Sequence, residues 1–359
     1  MKSRRGLACC VALVATLALL VGACGGDESP PAAESTTAVS GEPGPAESNE
    51  ITVALPFPDA KIFGPYVVAA DLGYFEKEGL KVEIITADNV NAAVASDSAD
   101  IGLQDAGSAI EAIREGLAVN ILAGSLCQQP FNFAVQPDVK SVEDLAGKDV
   151  TLAGTTGDPT EIARWRVLKE EGWDLDSVDV NLVYPGPDSA TWREFFLTDR
   201  IALMPFYADD LPALQKDGAS IIIESLRAWP NGVHIVNKGW LEDNPNAAVR
   251  FLRALMKGMD YIVAPAIGEP PENRGKLLEI LAANDFDVAD MEATDPEDPW
   301  LFGSQSICPN LYYDEAAWNS TIETNGLDPL EFDVDLSHLE RAQGLLDRDN
   351  SPPEEVQYP

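Results

Sequence analysis

The sequence predicts an α/β fold of two lobes, each a mixed, mostly parallel sheet flanked by helices. Three observations lead there. Short β-rich runs alternate with helical patterns from Ile51 onward, and strand–helix–strand alternation implies parallel pairing through right-handed crossovers. The alternation breaks after Pro137 and restarts, so there are two blocks. The chain of 359 residues is 45% hydrophobic, enough to build one large or two modest cores.

The first block reads ITVAL as a strand, a helix over 66–78, the strand KVEIIT, a helix near Asn91, the strand ADIGLQ, a helix over 109–114, and the strands VNILAG and NFAVQ. The second reads DVTLAG, a helix over 159–171, DVNLVY, a helix near Trp192, IALMPF, a helix near Leu211, and SIIIES. Asn244 is then an N-cap with Pro245 at the first helical position, and Val249, Leu252, Leu255, Met256, Met259, Ile262 and Val263 follow at helical spacing. These methionines read as core packing. The expected organisation is one discontinuous lobe over 51–136 and 236–346 and a second over 137–235. The chain should cross between them near 135–139 and 233–237.

Both ends look different from this body. Lys2, Arg4 and Arg5 precede an apolar run over 7–21, the basic and apolar regions of an export signal and too short for a comfortable membrane span. Val21-Gly22-Ala23-Cys24 resembles the bacterial lipobox, which implies cleavage after residue 23 and a lipid on Cys24, holding the chain on the extracytoplasmic face of the membrane. Residues 24–50 are rich in Gly, Pro, Ser, Thr, Ala and Glu and read as a disordered tether. Residues 347–359 read as a disordered tail.

The net charge is −36, and loss of the three cations of residues 1–23 takes it to −39. That sign excludes nucleic-acid and anionic-membrane binding as the main business of the surface. Of five cysteines, Cys9 and Cys10 belong to the signal. Cys127 and Cys308 remain, and in an oxidising compartment they are expected to pair. Only His234 and His338 are present, neither at ligand spacing from another His or Cys, so no metal site is expected. The acidic loop over 285–299 lacks the Asp/Asn ladder, central glycine and closing glutamate of a calcium hand. No GxxxxGK[ST] loop is present.

Within the first block, Gly73-Tyr74-Phe75, Glu78-Gly79-Leu80, Ala99-Asp100-Ile101-Gly102 and the Arg114-x-Gly116 turn resemble the substrate-binding proteins of ABC importers of the SsuA/THI5-like, or NMT1-like, family. SVEDLAGKDVTLAG resembles the family's opening of the second lobe. One departure is Leu197-Thr198-Asp199-Arg200-Ile201-Ala202, where the family has a glycine and a following aspartate. The resemblance spans most of 51–342 and implies a type II periplasmic-binding-protein-like fold, a small-molecule receptor that is not an enzyme, and a separate permease and ATPase as partners. It implies a monomer without a cofactor. The motif residues themselves read as structural: Gly73 and Gly79 as helix C-caps, Asp100 as a brace for the next strand. A fungal pyrimidine synthase on the same fold relies on a histidine and a cysteine cluster that this chain lacks.

Ligands of two-lobed α/β proteins sit outside the carboxyl ends of the strands, where helix N-termini offer N–H donors. The expected ligand contacts are therefore the residues that follow strands: Phe57 and Asp59, Gln104 and Asp105, Gln128, Phe131 and Asn132, Thr155 and Thr156, Tyr207, and Trp229. Phe131 and Trp229 have an alternative as core. Ser108, with Glu111 at capping-box spacing, and Asp158, ahead of Pro159, read as helix caps. Asp59 and Asp105 favour a neutral or cationic ring such as an aminopyrimidine or thiamine precursor, the alternative being a sulfonate, taurine or nitrate. An enzyme or a sensor on this fold is the other class of reading.

Overall fold

The computed structural model describes residues 41–56, 60–156, 159–186, 189–207, 210–263, 274–286, 288, 306–313, 319 and 334–351. The signal segment, Cys24, most of the tether, residues 352–359, and the site candidates Phe57 and Asp59 lie outside these.

The first sheet holds β1 (Glu50–Leu55), β2 (Lys81–Thr86), β3 (Ile101–Gln104), β4 (Val119–Pro130) and β10 (Leu226–Asn237) in the order β2-β1-β3-β10-β4. β2 and β3 run parallel to β1, whereas β10 is antiparallel to β3 and β4. The second sheet holds β5 (Asn132–Val135), β6 (Asp149–Val150), β7 (Asn181–Leu182), β8 (Leu203–Phe206) and β9 (Ser220–Ile223) in the order β7-β6-β8-β5-β9. There β6 pairs in parallel with β7 and β8, and β5 runs antiparallel to β8 and β9.

Helices fill the crossovers. In the first lobe they are α1 (Ala60–Asp71), α2 (Tyr74–Lys77), α3 (Val90–Ala95) and α4 (Ala106–Arg114); in the second, α5 (Pro159–Glu170), α6 (Ser189–Leu197) and α7 (Leu211–Asp217). α8 (Lys238–Asp243), α9 (Pro245–Val263), α10 (Arg274–Ala283) and α11 (Ser337–Gly344) follow the last strand. The helix read over 66–78 is two helices. Gly73 interrupts it at φ 67°, a left-handed conformation that costs glycine little. Asp199 sits at φ 56°, which Asp tolerates better than most side chains. Asp100, read as a brace for the strand that follows it, braces β1 instead, accepting a hydrogen bond from the Thr52 N–H at 2.8 Å.

α9 is the spine of the first lobe. Its apolar stripe of Val249, Leu252, Leu255, Met256, Met259 and Ile262 is buried, each large side chain gaining about 1.5–3 kcal/mol over exposure. Gly258 lets α1 cross closely: a Cβ there would lie 2.3 Å from the Pro65 carbonyl oxygen. On the other side Glu78, 4% exposed, is surrounded by Arg253, Lys257 at 3.4 Å and Arg250 at 3.6 Å.

Several boundaries differ from the sequence reading. Residues 41–47 do not trail as a tether but lie on α9: the Gly44 N–H donates to Asn246 Oδ1, Glu47 accepts from the N–H groups of Asn246 and Ala247, and Arg250 donates to the Gly44 and Pro43 carbonyls. At the other end, Arg348 pairs with Asp260 and Asn350 bonds both backbone groups of Tyr313, so the tail does not come away at residue 347. The sheets are joined at residue 131 and at residues 224–225, ahead of the expected 135–139 and 233–237. The reason is that β4 and β10 are long and paired out to Leu226 with Pro130, while Asn132 already pairs with Phe206 in the second sheet.

Candidate functional site

In the first lobe β3 ends at Gln104 and α4 begins at Ala106. Asp105 is the N-cap, its carboxylate accepting from the Ser108 N–H at 2.9 Å, and Gln104 Oε1 accepts from the Asp105 N–H at 2.9 Å. The cap is thus Asp105 and not Ser108, which lies inside the helix. Gln104 and Asp105, expected as ligand contacts, are thus both engaged in local hydrogen bonds at the start of α4. Nearby, Asn91 Nδ2 donates to the Ser108 carbonyl at 3.0 Å, while its buried Oδ1 has no partner among the described residues.

Four candidates sit where the sheets are joined. Gln128 is inside β4 and paired with Ala228, not in a loop. The Phe131 N–H donates to the Ser225 carbonyl at 2.7 Å, and Asn132 Oδ1 accepts from the Ser225 N–H at 3.2 Å. Phe131 and Trp229 pack edge to face, centroids 6.1 Å apart, inside the second-lobe core. For Phe131, Asn132 and Trp229, 2%, 2% and 8% exposed, the structure shows core and crossing roles, since the strand continues where sequence reading ended it.

The second lobe brings Tyr207 to an unforeseen partner. Arg164 on α5 is 2% exposed. Its Nη1 donates to the Leu152 carbonyl at 2.6 Å and its Nη2 to the Tyr207 hydroxyl at 3.3 Å. Its Cζ lies 5.5 Å from the centre of the Trp192 ring on α6. The Arg164 Nε has no hydrogen-bond partner, and no carboxylate pairs with this guanidinium, among the described residues. Asp158, Asp188 and Asp209, close by in sequence, lie outside them. The loop after β8 is fixed from the other side: Asp210 accepts from the Tyr207 N–H at 3.0 Å and from Arg193 at 2.9 Å. Thr155 and Thr156 are exposed between Ala153 and α5.

Arg164, Tyr207 and Trp192 are therefore brought together beside the segments that follow β6 and β8. A guanidinium buried beside neutral groups is costly unless an anion compensates it, and its planar fork suits an oxyanion. Sequence reading missed Arg164 because it sits mid-helix, where an arginine usually marks a solvated face. The signal that could have found it is its place among Ala163, Val167 and Leu168, the buried side of α5. A hollow of about 260 Å³ along the outer side of α5, lined by Glu161, Ile162, Trp165, Arg166 and Lys169, comes from one helix face and lacks convergent groups.

His234, Cys127 and Cys308 are structurally engaged, whereas the buried Nδ1 of His338 has no hydrogen-bond partner among the described residues. His234 is buried between the Tyr66 hydroxyl and the Gly124 carbonyl. Cys127 and Cys308 are bonded, with Cα atoms 5.9 Å apart. Among the described residues no group of three or more His, Cys, Asp or Glu could hold a metal ion, and no helix is long and apolar enough to cross a membrane.

The family pattern described as "NMT1/THI5 like" matches residues 61–266, more than half of the chain. The chain belongs to the NMT1/THI5-like family. Among curated relatives of this NMT1/THI5-like protein is the 4-amino-5-hydroxymethyl-2-methylpyrimidine phosphate synthase THI11 of Saccharomyces cerevisiae, 22% identical over 61% of this chain and 69% of its own. Similar solved structures include a putative periplasmic sulfonate-binding protein SsuA of an ABC transporter from Methylobacillus flagellatus, with TM-score 0.59, 18% identity, and coverage of 86% of this chain and 98% of that one. Another is the alkanesulfonate-binding protein SsuA from Xanthomonas axonopodis pv. citri bound to MOPS, with TM-score 0.53, 14% identity, and coverage of 81% and 98%. At these identities the likeness shows the fold, that of a type II periplasmic binding protein.

Proposed function

We propose that this NMT1/THI5-like protein is an extracytoplasmic solute receptor of an ABC importer, tethered through Cys24, which takes a small anion of sulfonate type between its lobes and passes it to a permease on separate chains. The observation that carries the ligand class is the buried Arg164, which has no carboxylate partner among the described residues and is joined to Tyr207 at the strand ends. Of the two carboxylates that favoured a neutral or cationic ring, Asp105 is engaged in capping α4, and Asp59 lies outside the described residues. The receptor role is supported by the two-sheet fold, the two-strand connection and the likeness to the sulfonate- and alkanesulfonate-binding SsuA proteins. Closure is a population shift in which a ligand touching both lobes stabilises the closed form.

A second reading, an aminopyrimidine or thiamine-precursor heteroaromatic, is favoured by the Trp192 ring and the Tyr207 hydroxyl beside Arg164 and by the product named for the yeast synthases. The engagement of His234 in the core and of Cys127 with Cys308 in a disulfide supports a binding role over a catalytic one.

The test is a thermal-shift and calorimetric titration of the purified chain with MOPS, taurine, nitrate and 4-amino-5-hydroxymethyl-2-methylpyrimidine, repeated on Arg164→Gln. A ligand at 100 to 1,000 times its Kd stabilises the folded form by roughly 3–4 kcal/mol, a shift of several degrees. The expected result is a sulfonate hit lost in Arg164→Gln while the variant stays folded. A hit by the neutral pyrimidine alone, unchanged in Arg164→Gln, overturns the anion reading and leaves the receptor.

A further inference from the structure

β4 is the outer strand of the first sheet and also one of the two strands that run on to the second. Beyond the β3–β10 pairing, which covers only Val233 to Val236, the connection is a two-stranded ribbon, with Leu226, Arg227 and Ala228 opposite Pro130, Gln129 and Gln128. Its register is irregular between Ala228 and Gly232. Two strands alone are marginally stable, and an uncovered outer edge leaves backbone groups without partners.

Residues 306–313 cover that edge just before the ribbon begins. Leu126 bridges antiparallel to Ile307, the Cys308 N–H donates to the Ser125 carbonyl at 3.0 Å, and the Gly124 N–H donates to the Leu311 carbonyl at 2.9 Å. Gly124 makes the approach possible, since a Cβ there would fall 1.8 Å from the Tyr312 carbonyl oxygen. The Cys127–Cys308 bond fastens the segment to β4. Its far side is held as well: Asn350 bonds the Tyr313 N–H and carbonyl, each at 3.1 Å, Gln343 Nε2 donates to the Asn310 carbonyl at 2.7 Å, and Arg348 donates to the Pro309 carbonyl at 3.0 Å. One short segment thus joins the crossing strand to the body of the first lobe by a covalent bond and a hydrogen-bonded seam.

We propose that residues 306–313 form a clamp on the connecting ribbon, which makes β4 rigid up to Cys127 and confines the relative movement of the two sheets to the few residues beyond it. The clamp goes beyond the receptor reading, because it sets how freely the lobes turn whatever the ligand.

The experiment is hydrogen exchange by mass spectrometry on the full chain, for the wild type, for Cys127→Ser with Cys308→Ser, and for Asn350→Ala, which loosens the far side and leaves the disulfide intact. In parallel, spin labels on Glu115→Cys and Lys216→Cys, exposed at the C-cap of α4 and on α7, report the distance between the sheets. In both loosened variants exchange in residues 124–129 and 226–228 quickens at least tenfold, that of β1 and β8 changes less than twofold, and the label distance distribution broadens. Unchanged ribbon exchange, equal quickening across both sheets, or quickened ribbon exchange at an unchanged distance distribution each overturns the proposal. If the double serine variant fails to fold, Asn350→Ala alone decides.

Discussion

His234 Nε2 lies 2.6 Å from the Tyr66 hydroxyl while Nδ1 lies 2.7 Å from the Gly124 carbonyl oxygen. A carbonyl can only accept, so the ring proton sits on Nδ1 and Nε2 accepts from Tyr66. The pair ties α1 to β10 and β4 in the centre of the first lobe.

Burial lowers the His234 pKa to about 4, against a small opposing effect of the Gly124 carbonyl. The folded protein therefore keeps the ring neutral while the unfolded chain takes up a proton below about 6.5. Stability from this group is complete above pH 6.5 and is lost as pH falls toward 4, by about 3 kcal/mol over the window. Urea unfolding at pH 7.5, 5.5 and 4.5 should show that fall, and His234→Gln should flatten it while lowering stability at pH 7.5. An equal slope in the variant would exclude His234 as the source.

Asp105 serves α4 as its cap, so its removal should register first in stability. Asp105→Ala should cost about 1 kcal/mol, within the 0.5–2 kcal/mol typical of N-caps, and Asp105→Asn should restore most of it. Urea midpoints of the two variants check this. A loss shared equally by Asn would mean that the charge of Asp105, and not its hydrogen bond, is what matters.

Glycine has opposite values at two helical positions. Gly258→Ala drives a methyl toward the Pro65 carbonyl oxygen at 2.3 Å and Ala69 Cβ at 3.0 Å, and should destabilise by about 1–3 kcal/mol as α1 and α9 are forced apart. Gly275→Ala, on α10 with nothing within 4 Å of the new methyl, should stabilise by about 0.5–1 kcal/mol through helix propensity. Calorimetric Tm values of the two single variants should move in opposite directions.

Local chemistry made much of this molecule readable. The alternation of ITVAL, KVEIIT and ADIGLQ with helical patterns gave the parallel core of the first sheet, because two-residue and 3.6-residue periods are properties of the chain itself. Asn244-Pro245 marked the start of α9, and the glycines at 73 and 79 marked turns that need a positive φ, for the same reason. Where β4 ends was not readable: pairing with β10, about a hundred residues away, extends it through Gln128 to Pro130 and so turns a loop of expected ligand contacts into a buried crossing. Arg164 shows the same limit. Its sequence neighbours describe a helix, and only the packing of α5 against Leu152, Trp192 and Tyr207 makes it a buried cation at the strand ends. The sequence by itself determined which segments become strands and helices, since those choices depend on neighbours along the chain. Which strands join the lobes, which carboxylates are engaged as caps and which charge is buried were decided by the tertiary structure, because burial and pairing depend on residues that only folding brings together.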